Sequence, residues 1–443
     1  MPQPSVCILG AGAAGLNAAR ILASGGIPVR ILEARSRIGG RILTLREPGL
    51  PVPIELGAEF IHGLAQPTLA LAREACLTPI DIPFEHMQRH GGRLAKNPGF
   101  EELLGQGMPA AEDLRGADIS FAEFLRRKRA GKRWAAARRI ARDFVQGFDA
   151  ADPEIVSARS IAEEQEGVGE MHSSQFRLLG GYGALMEFLR RQAQEHGAEI
   201  LLNRVVSDIR WRRGGVEMRC AGNRQVVRAT HAIVTLPVGV LLAPAGARGA
   251  VRFDPEIPAT LRAAGMLASG AVIKVLLRFR EAFWEDPAVA RRARAGVALR
   301  EASFLHGPGA PFPTWWTARP LRLPLLTGWV GGPRAAALSE TGREAIQRAA
   351  IRSLGDLFHM RPPQVRGMLE SFHTWDWQAD AFSRGAYSYV RAGGMRGRAL
   401  LARPAEKTLF FAGEAADTSG QASTVAGALA SGERAAHALI DSL

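Results

Sequence analysis

Gly10, Gly12 and Gly15 stand in a G-x-G-x-x-G run, Gly10-Ala11-Gly12-Ala13-Ala14-Gly15. An acid, Glu33, follows about 20 residues on, the spacing at which a ribose hydroxyl is met. The first glycine permits a tight turn, the second lets backbone approach a pyrophosphate, and the third lets helix and strand pack closely. Lys274 is a lone cation in the apolar run Gly270-Ala271-Val272-Ile273-Lys274-Val275-Leu276-Leu277. A lysine so placed either snorkels outward or is buried with a partner, and the pattern alone leaves both open. Trp377, Asp380, Phe382, Arg384, Gly385, Ala386, Tyr387, Ser388 and Tyr389 form an aromatic and charged cluster that by itself reads as core or loop packing. Further on, Gly413-Glu414 closes an apolar run, and Ser423-Thr424-Val425 opens a helical pattern. An acid after a strand and a helix N-terminus suit a ligand's hydroxyls and an electron-rich ring edge.

The elements that must hold these residues follow from hydrophobic spacing. Val6–Leu9 predicts a buried parallel strand, residues 16–23 a helix, and Val29–Leu32 a second strand. Together with Glu33 they make a complete βαβ unit, which raises the glycine run from a weak motif to a dinucleotide-binding expectation. Residues 76–176 predict a mostly helical insert punctuated by prolines. Gly180-Gly181-Tyr182-Gly183 opens a helix with Leu185, Phe188, Leu189 and Ala193 on one face. Short strands are expected at 200–202, 205–206, 209–211 and 232–236, and a longer one at 272–279 carrying Lys274. Residues 308–324, rich in proline and holding Trp315 and Trp316, predict a loop or lid, and residues 340–358 an amphipathic helix.

The 443 residues are too many for one compact core, and 47% hydrophobic with 22% charged residues is ordinary for a globular protein. No apolar run reaches the roughly 20 residues that span a bilayer, and the first strand begins too near Met1 to leave room for a signal peptide. Cys7, Cys76 and Cys220 lack metal-ligand spacing, so no metal site is expected and a reducing cytoplasm fits best. The formal net charge of +13 raises the question of nucleic acid. Its densest stretch, from Arg126 to Arg142, is interleaved with Trp134, Ala137, Ala141, Phe144 and Phe148 at helical spacing. That predicts an apolar face packed inward and a solvated basic face, with no nucleic-acid partner.

The run Glu33-Ala34-Arg35-Ser36-Arg37-Ile38-Gly39-Gly40-Arg41 resembles the flavin amine oxidase family. Glu55-Leu56-Gly57-Ala58-Glu59-Phe60-Ile61-His62-Gly63 is similar to the segment that family places beside its flavin, especially in the polyamine oxidase branch. The pattern W-x-x-D-x-F-x-R-G-x-Y-S-Y from Trp377 to Tyr389, and Phe411-Ala412-Gly413-Glu414, resemble its later motifs.

The resemblance implies an α/β, two-domain fold: a Rossmann-like FAD domain (residues 1–75, 177–250 and 382–443) interleaved with a substrate domain of mixed sheet and helices (76–176 and 251–381). It implies FAD held by Gly10, Gly12, Ala14, Gly15, Glu33, Ala34, Arg35, Gly40, Arg41, Gly57, Ala58, Glu59, Val206, Trp377, Gly413, Glu414, Thr424 and Val425. Ala386 stands where monoamine oxidases carry the cysteine bonded to FAD, so the flavin is expected to be noncovalent. Lys274 matches a lysine that contacts flavin N5 through a water, and Tyr387 a ring forming one wall of an aromatic cage. His62 matches a residue near the substrate tunnel, and Gln421 falls where the family has its second cage tyrosine. The implied reaction is oxidation of a primary or secondary amine, with hydride passing to the flavin and O₂ becoming H₂O₂. The membrane-bound branch's hydrophobic tail is missing, which implies a soluble protein, and a homodimer is compatible with the sequence. The rivals are an L-amino acid oxidase, which needs an arginine for the carboxylate, a flavin desaturase, and a non-catalytic flavin-binding scaffold.

Overall fold

The structure, a computed structural model, describes residues 3–63, 65–97, 99–171, 174–222, 225–295 and 299–443. Strand β1 (Val6–Leu9) lies between β2 (Val29–Leu32) and the strand His231–Val234, all parallel, with Val6 opposite both Val29 and His231. Glu199–Leu201 and Leu409–Phe411 complete a five-stranded parallel sheet drawn from distant parts of the chain. Alternation along β1 divides its side chains between two cores. Val6 and Ile8 pack under helix α1 (Ala13–Ser24) and the helices Tyr182–Glu195 and Val425–Ile440. Cys7 and Leu9 face the other side, against a meander of strands from Val206 to Ala229. Cys7 is therefore a core residue, and burial pushes its thiol up to about 12.

The second domain is a seven-stranded mixed sheet. Val272–Phe279 pairs with Leu325–Gly331 on one side and Leu369–Asp376 on the other, so Lys274 lies in an interior strand opposite Trp329 and Trp375. Residues 308–324 depart from the expected lid. Thr314–Thr317 is a strand of this sheet, and Trp315 and Trp316 are buried there. The aromatic pair packs on two faces, a role proline-rich flanks had obscured. The helical insert departs too, because it supplies Pro79–Asp81, His86–His90 and Arg93–Ala95, and the last two extend the seven-stranded sheet. In the basic stretch the expected face is present: Ala137 and Ala141 are buried, while Arg126 and Arg142 share Glu154. Among the described residues no helix is long and apolar enough to cross a membrane.

Glu55 ties the two layers together. Its carboxyl accepts from Thr44 Oγ1 at 2.8 Å and from the backbone N–H of Tyr182 at 2.7 Å, where the helix Tyr182–Glu195 begins. Burial raises this carboxyl from 4.5 to about 7, against the opposing pull of Thr44 and Lys274. The folded chain thus binds the proton more tightly than the unfolded one, and Glu55's contribution is full below pH 4.5 and is lost as pH rises through 7. Glu55→Gln removes that loss. Relative to wild type it should gain about 3 kcal/mol between pH 4.5 and pH 8.5, at about 1.4 kcal/mol per tenfold difference in proton affinity. Denaturant melts at the two pH values read this directly, and an unchanged difference between variant and wild type would contradict it.

Candidate functional site

One cavity of 2320 Å³ runs between the domains. It exceeds the roughly 300–1,000 Å³ of a usual small-molecule site. Of the residues expected to hold the cofactor, meet the substrate or do chemistry, all but Gly15 line it. Gly15 works from behind: a methyl there would stand 2.0 Å from the Gly10 carbonyl oxygen and 3.3 Å from Ile8, so it lets α1 lie on β1.

At the β1 end, Gly10 has φ +99°, which only glycine adopts freely, and Gly12 caps α1 without a side chain. Gly12 and Gly40 face each other, and a methyl on Gly40 would stand 3.4 Å from Gly12 Cα. This is a cradle of bare backbone at a helix N-terminus, suited to a pyrophosphate. Helix α1 begins at Ala13, earlier than spacing predicted, which puts Ala13 and Ala14 on the cavity wall. Arg37 braces the opposite lip, donating to the carbonyls of Ile38, Gly40 and Ile42.

Glu33 is buried, with Oε2 accepting from Ala11 N at 2.8 Å and Oε1 from Arg35 N at 2.9 Å. Each oxygen keeps a lone pair for a ribose. The Arg35 guanidinium is committed to Asp380 at 2.8 Å and Ser383 at 2.7 Å, so the Trp377–Tyr389 segment is bolted to the nucleotide end. Trp377 donates its indole N–H to the Leu56 carbonyl. Val206 and Ala34 contribute apolar wall.

At the other strand ends, Glu414 accepts from Arg41 at 2.8 Å and from Ser388 Oγ at 2.6 Å. Burial opposes its charge, but Arg41 and Arg398 outweigh that and hold the carboxyl below its ordinary range. Thr424 caps the helix Val425–Ile440 by accepting from Gly427 N at 3.1 Å, and donates to the Gln421 carbonyl at 2.6 Å.

Lys274 is 1% exposed, which decides the question its sequence left open. Its ammonium meets Glu59 Oε2 at 2.6 Å and the Gly57 carbonyl at 3.2 Å, and stands 5.5 Å from the Trp316 ring centre. Glu59 also pairs with Arg177 at 2.7 Å and accepts from the Trp316 indole at 3.2 Å. Burial opposes the Glu59 charge, yet Lys274 and Arg177 together keep the carboxyl below its usual range. Glu59, expected only as a cofactor contact, is thus the lysine's counter-ion. The pair closes a contact 215 residues apart in the chain, which no spacing rule shows.

Tyr387 donates its hydroxyl to the Phe148 carbonyl. Burial, then the Asp149 and Glu164 charges, raise its phenol far above the ordinary value, so it stays neutral. His62 Nδ1 lies 2.9 Å from Gln175, and its ring meets those of Phe148 at 5.9 Å and Phe60 at 6.1 Å. Gln421 is on the wall, its backbone N–H bound to Asp417. Sequence reasoning missed Phe148, Asp149 and Glu164. Phe148 carries the helical spacing of its neighbours, but the helix Ala135–Gly147 ends one residue before it and the chain turns it to the cavity. The Asp152-Pro153 turn just downstream was the available signal for that end.

The family described as flavin containing amine oxidoreductase matches residues 13–440. Lysine-specific histone demethylase 1 homolog 2 of Arabidopsis thaliana is 30% identical over 99% of this chain, and polyamine oxidase 2 of the same plant is 27% identical over 94%. The chain spans 58% of the first of these relatives and 84% of the second. Among solved structures, putrescine oxidase bound to putrescine superimposes with a TM-score of 0.77 at 22% identity, covering 99% of each chain. Cyclohexylamine oxidase from Brevibacterium oxydans IH-35A gives 0.77 at 21% identity, over 100% of this chain and 99% of that one. These two likenesses concern the fold.

Proposed function

Because the chain belongs to the flavin containing amine oxidoreductase family, we propose that it is an FAD-dependent oxidase of primary or secondary amines, with O₂ reduced to H₂O₂. The observation that carries this reading is a single cavity that joins a dinucleotide cradle to a buried, ion-paired lysine and a neutral tyrosine.

When bound, FAD would supply the two-electron redox chemistry that couples oxidation of the C–N bond to reduction of oxygen. The protein's own residues do the rest. Gly10, Gly12 and Gly40 offer bare backbone to the pyrophosphate, Glu33 accepts from the ribose, and the Arg41–Glu414 pair stands by the helix N-terminus at Thr424. Tyr387, fixed through Phe148, presents its ring to the amine's carbon chain, and His62, Phe148 and Gln421 line the approach. Lys274, ion-paired with Glu59 in a buried wall, would favour electron transfer to oxygen. The oxidised C–N bond then adds water and splits, which requires no protein acid stronger than those present.

Titrating the purified holoenzyme anaerobically with amines of different chain length should bleach its visible spectrum with at least one group. Acid precipitation should leave all yellow colour in the supernatant, since Ala386 offers no sulfur for a bond. A spectrum that no amine bleaches would refute the oxidase reading, and a coloured pellet would refute noncovalent binding.

A further inference from the structure

Among the described residues only Glu59 lines both the large cavity and a second, smaller cleft. That cleft has a volume of about 50 Å³, several times the roughly 10–15 Å³ that one water needs. Glu55, Arg177, Thr317 and Thr327 give it polar walls, and Leu179, 38% exposed, sets its outer end at the protein surface. Thr327 is buried, and its hydroxyl has no hydrogen-bond partner among the described residues, which leaves it to water.

The Glu59 carboxylate stands between the two spaces. Its Oε2 meets Lys274, which lines the cavity alone, at 2.6 Å, and its Oε1 meets Arg177, which lines the cleft alone, at 2.7 Å. Turning O₂ into H₂O₂ takes two electrons and two protons. A hydride equivalent supplies both electrons and one of the protons, so one further proton must come from the protein.

We propose that the cleft is a hydrated proton port, in which Glu55 stores a proton and Glu59 passes it through the wall to Lys274 after Lys274 has protonated reduced oxygen. The proposal rests on the oxidase reading for its use. Lys274 loses one N–H bond as the O–H bond forms and becomes a neutral amine. Glu59 hands it the Glu55 proton by way of the cleft water, and solvent reloads Glu55. An amine is a far stronger base than a carboxylate, so the proton runs towards Lys274.

The surrounding charges favour this order. Burial pushes the Glu59 carboxyl up, and Lys274 and then Arg177 more than offset it. Once Lys274 is neutral the larger offset is gone, and Glu59 can carry a proton in transit. Burial raises Glu55 to about 7, against Thr44, Lys274 and the Tyr182 N–H, and the Glu59 charge adds to the rise. Burial also keeps the Tyr182 phenol neutral. The store is therefore full below pH 7 and empty above it.

Two measurements test the port. In the apoprotein, the infrared band of a protonated carboxyl should fade as pH rises through 7 and be missing in Glu55→Gln. In D₂O it should shift as fast as exposed groups exchange; a shift that takes hours would mean a dry cleft and overturn the port. The second measurement reduces the holoenzyme photochemically, without amine, and follows its reoxidation by oxygen in stopped flow. Wild-type reoxidation should slow as pH rises through 7. Glu55→Gln should be at least about tenfold slower at acid pH and lose that dependence. It keeps acceptors for Thr44 and the Tyr182 N–H, so it should fold. Thr327→Val, which removes one water partner at constant volume, should be about threefold slower and keep the dependence. Wild-type rates in both variants would overturn the relay while leaving bleaching by amines untouched. Slow reoxidation of Glu55→Gln in an enzyme that no amine bleaches would keep the relay and remove the amine reading.

Discussion

Replacing Lys274 by methionine should slow reoxidation of the reduced enzyme by oxygen on the order of 100-fold, the usual loss when one fixed charge-stabilising group is removed. Reduction by amine should change by less than about threefold if, as proposed, the ammonium serves the oxygen half of the cycle. The variant should fold. Glu59 loses Lys274 at 2.6 Å but keeps Arg177 at 2.7 Å and the Trp316 indole, so no buried carboxylate is stranded. Methionine fills the same unbranched volume in an interior strand. The reciprocal change behaves differently. Glu59→Gln leaves the buried Lys274 without its anion, along with the half-buried Arg177, and should destabilise by about 3–5 kcal/mol. Stopped-flow rates for both half-reactions, with melting curves for both variants, measure all of this. Reoxidation that is unchanged in Lys274→Met would remove the lysine's role.

The second large effect concerns Gly15. Its added methyl would stand 2.0 Å from the Gly10 carbonyl oxygen, closer than any real contact, and the obstacle is backbone of the phosphate turn itself. Either α1 lifts off β1 or the turn deforms, and both displace the cradle formed by Gly10, Gly12 and Gly40. Gly15→Ala should therefore weaken FAD binding by at least about 100-fold, equal to roughly 3 kcal/mol. Gly105→Ala is the control: Gly105 is exposed in the helix Phe100–Gly107 with open space around its missing Cβ, and alanine there should stabilise by about 0.5–1 kcal/mol. Fluorescence titration of the apoproteins with FAD separates the two. Equal affinities would mean that the turn tolerates the methyl.

The cradle and the lysine differ in how far the chain alone discloses them. β1, the glycine turn, α1, β2 and Glu33 span fewer than about 35 residues, and each is constrained by neighbours in sequence: backbone sterics at Gly10, pleat alternation in the strands, helical spacing behind Gly15. The apolar run around Lys274 likewise predicted its strand. Its burial was undecided, because a buried cation is permitted only by a partner and the partner lies far along the chain. Trp315 and Trp316 were mistaken for a loop for a related reason: strands covered on both faces lose the alternation that identifies them.

The dinucleotide unit, the family and much of the cavity wall are legible in the chain, since these rest on local backbone rules and on motifs that survive as short runs. The pairing of charges along that wall emerges in three dimensions alone. Glu59 and Arg177 close around Lys274, and Glu414 is held between Arg41 and Ser388. Those pairings join separated stretches that meet only when the two domains close over one cavity. The energy of a charge depends on what is brought within a few ångströms of it and on how much water is shut out, neither of which is a property of the chain in order.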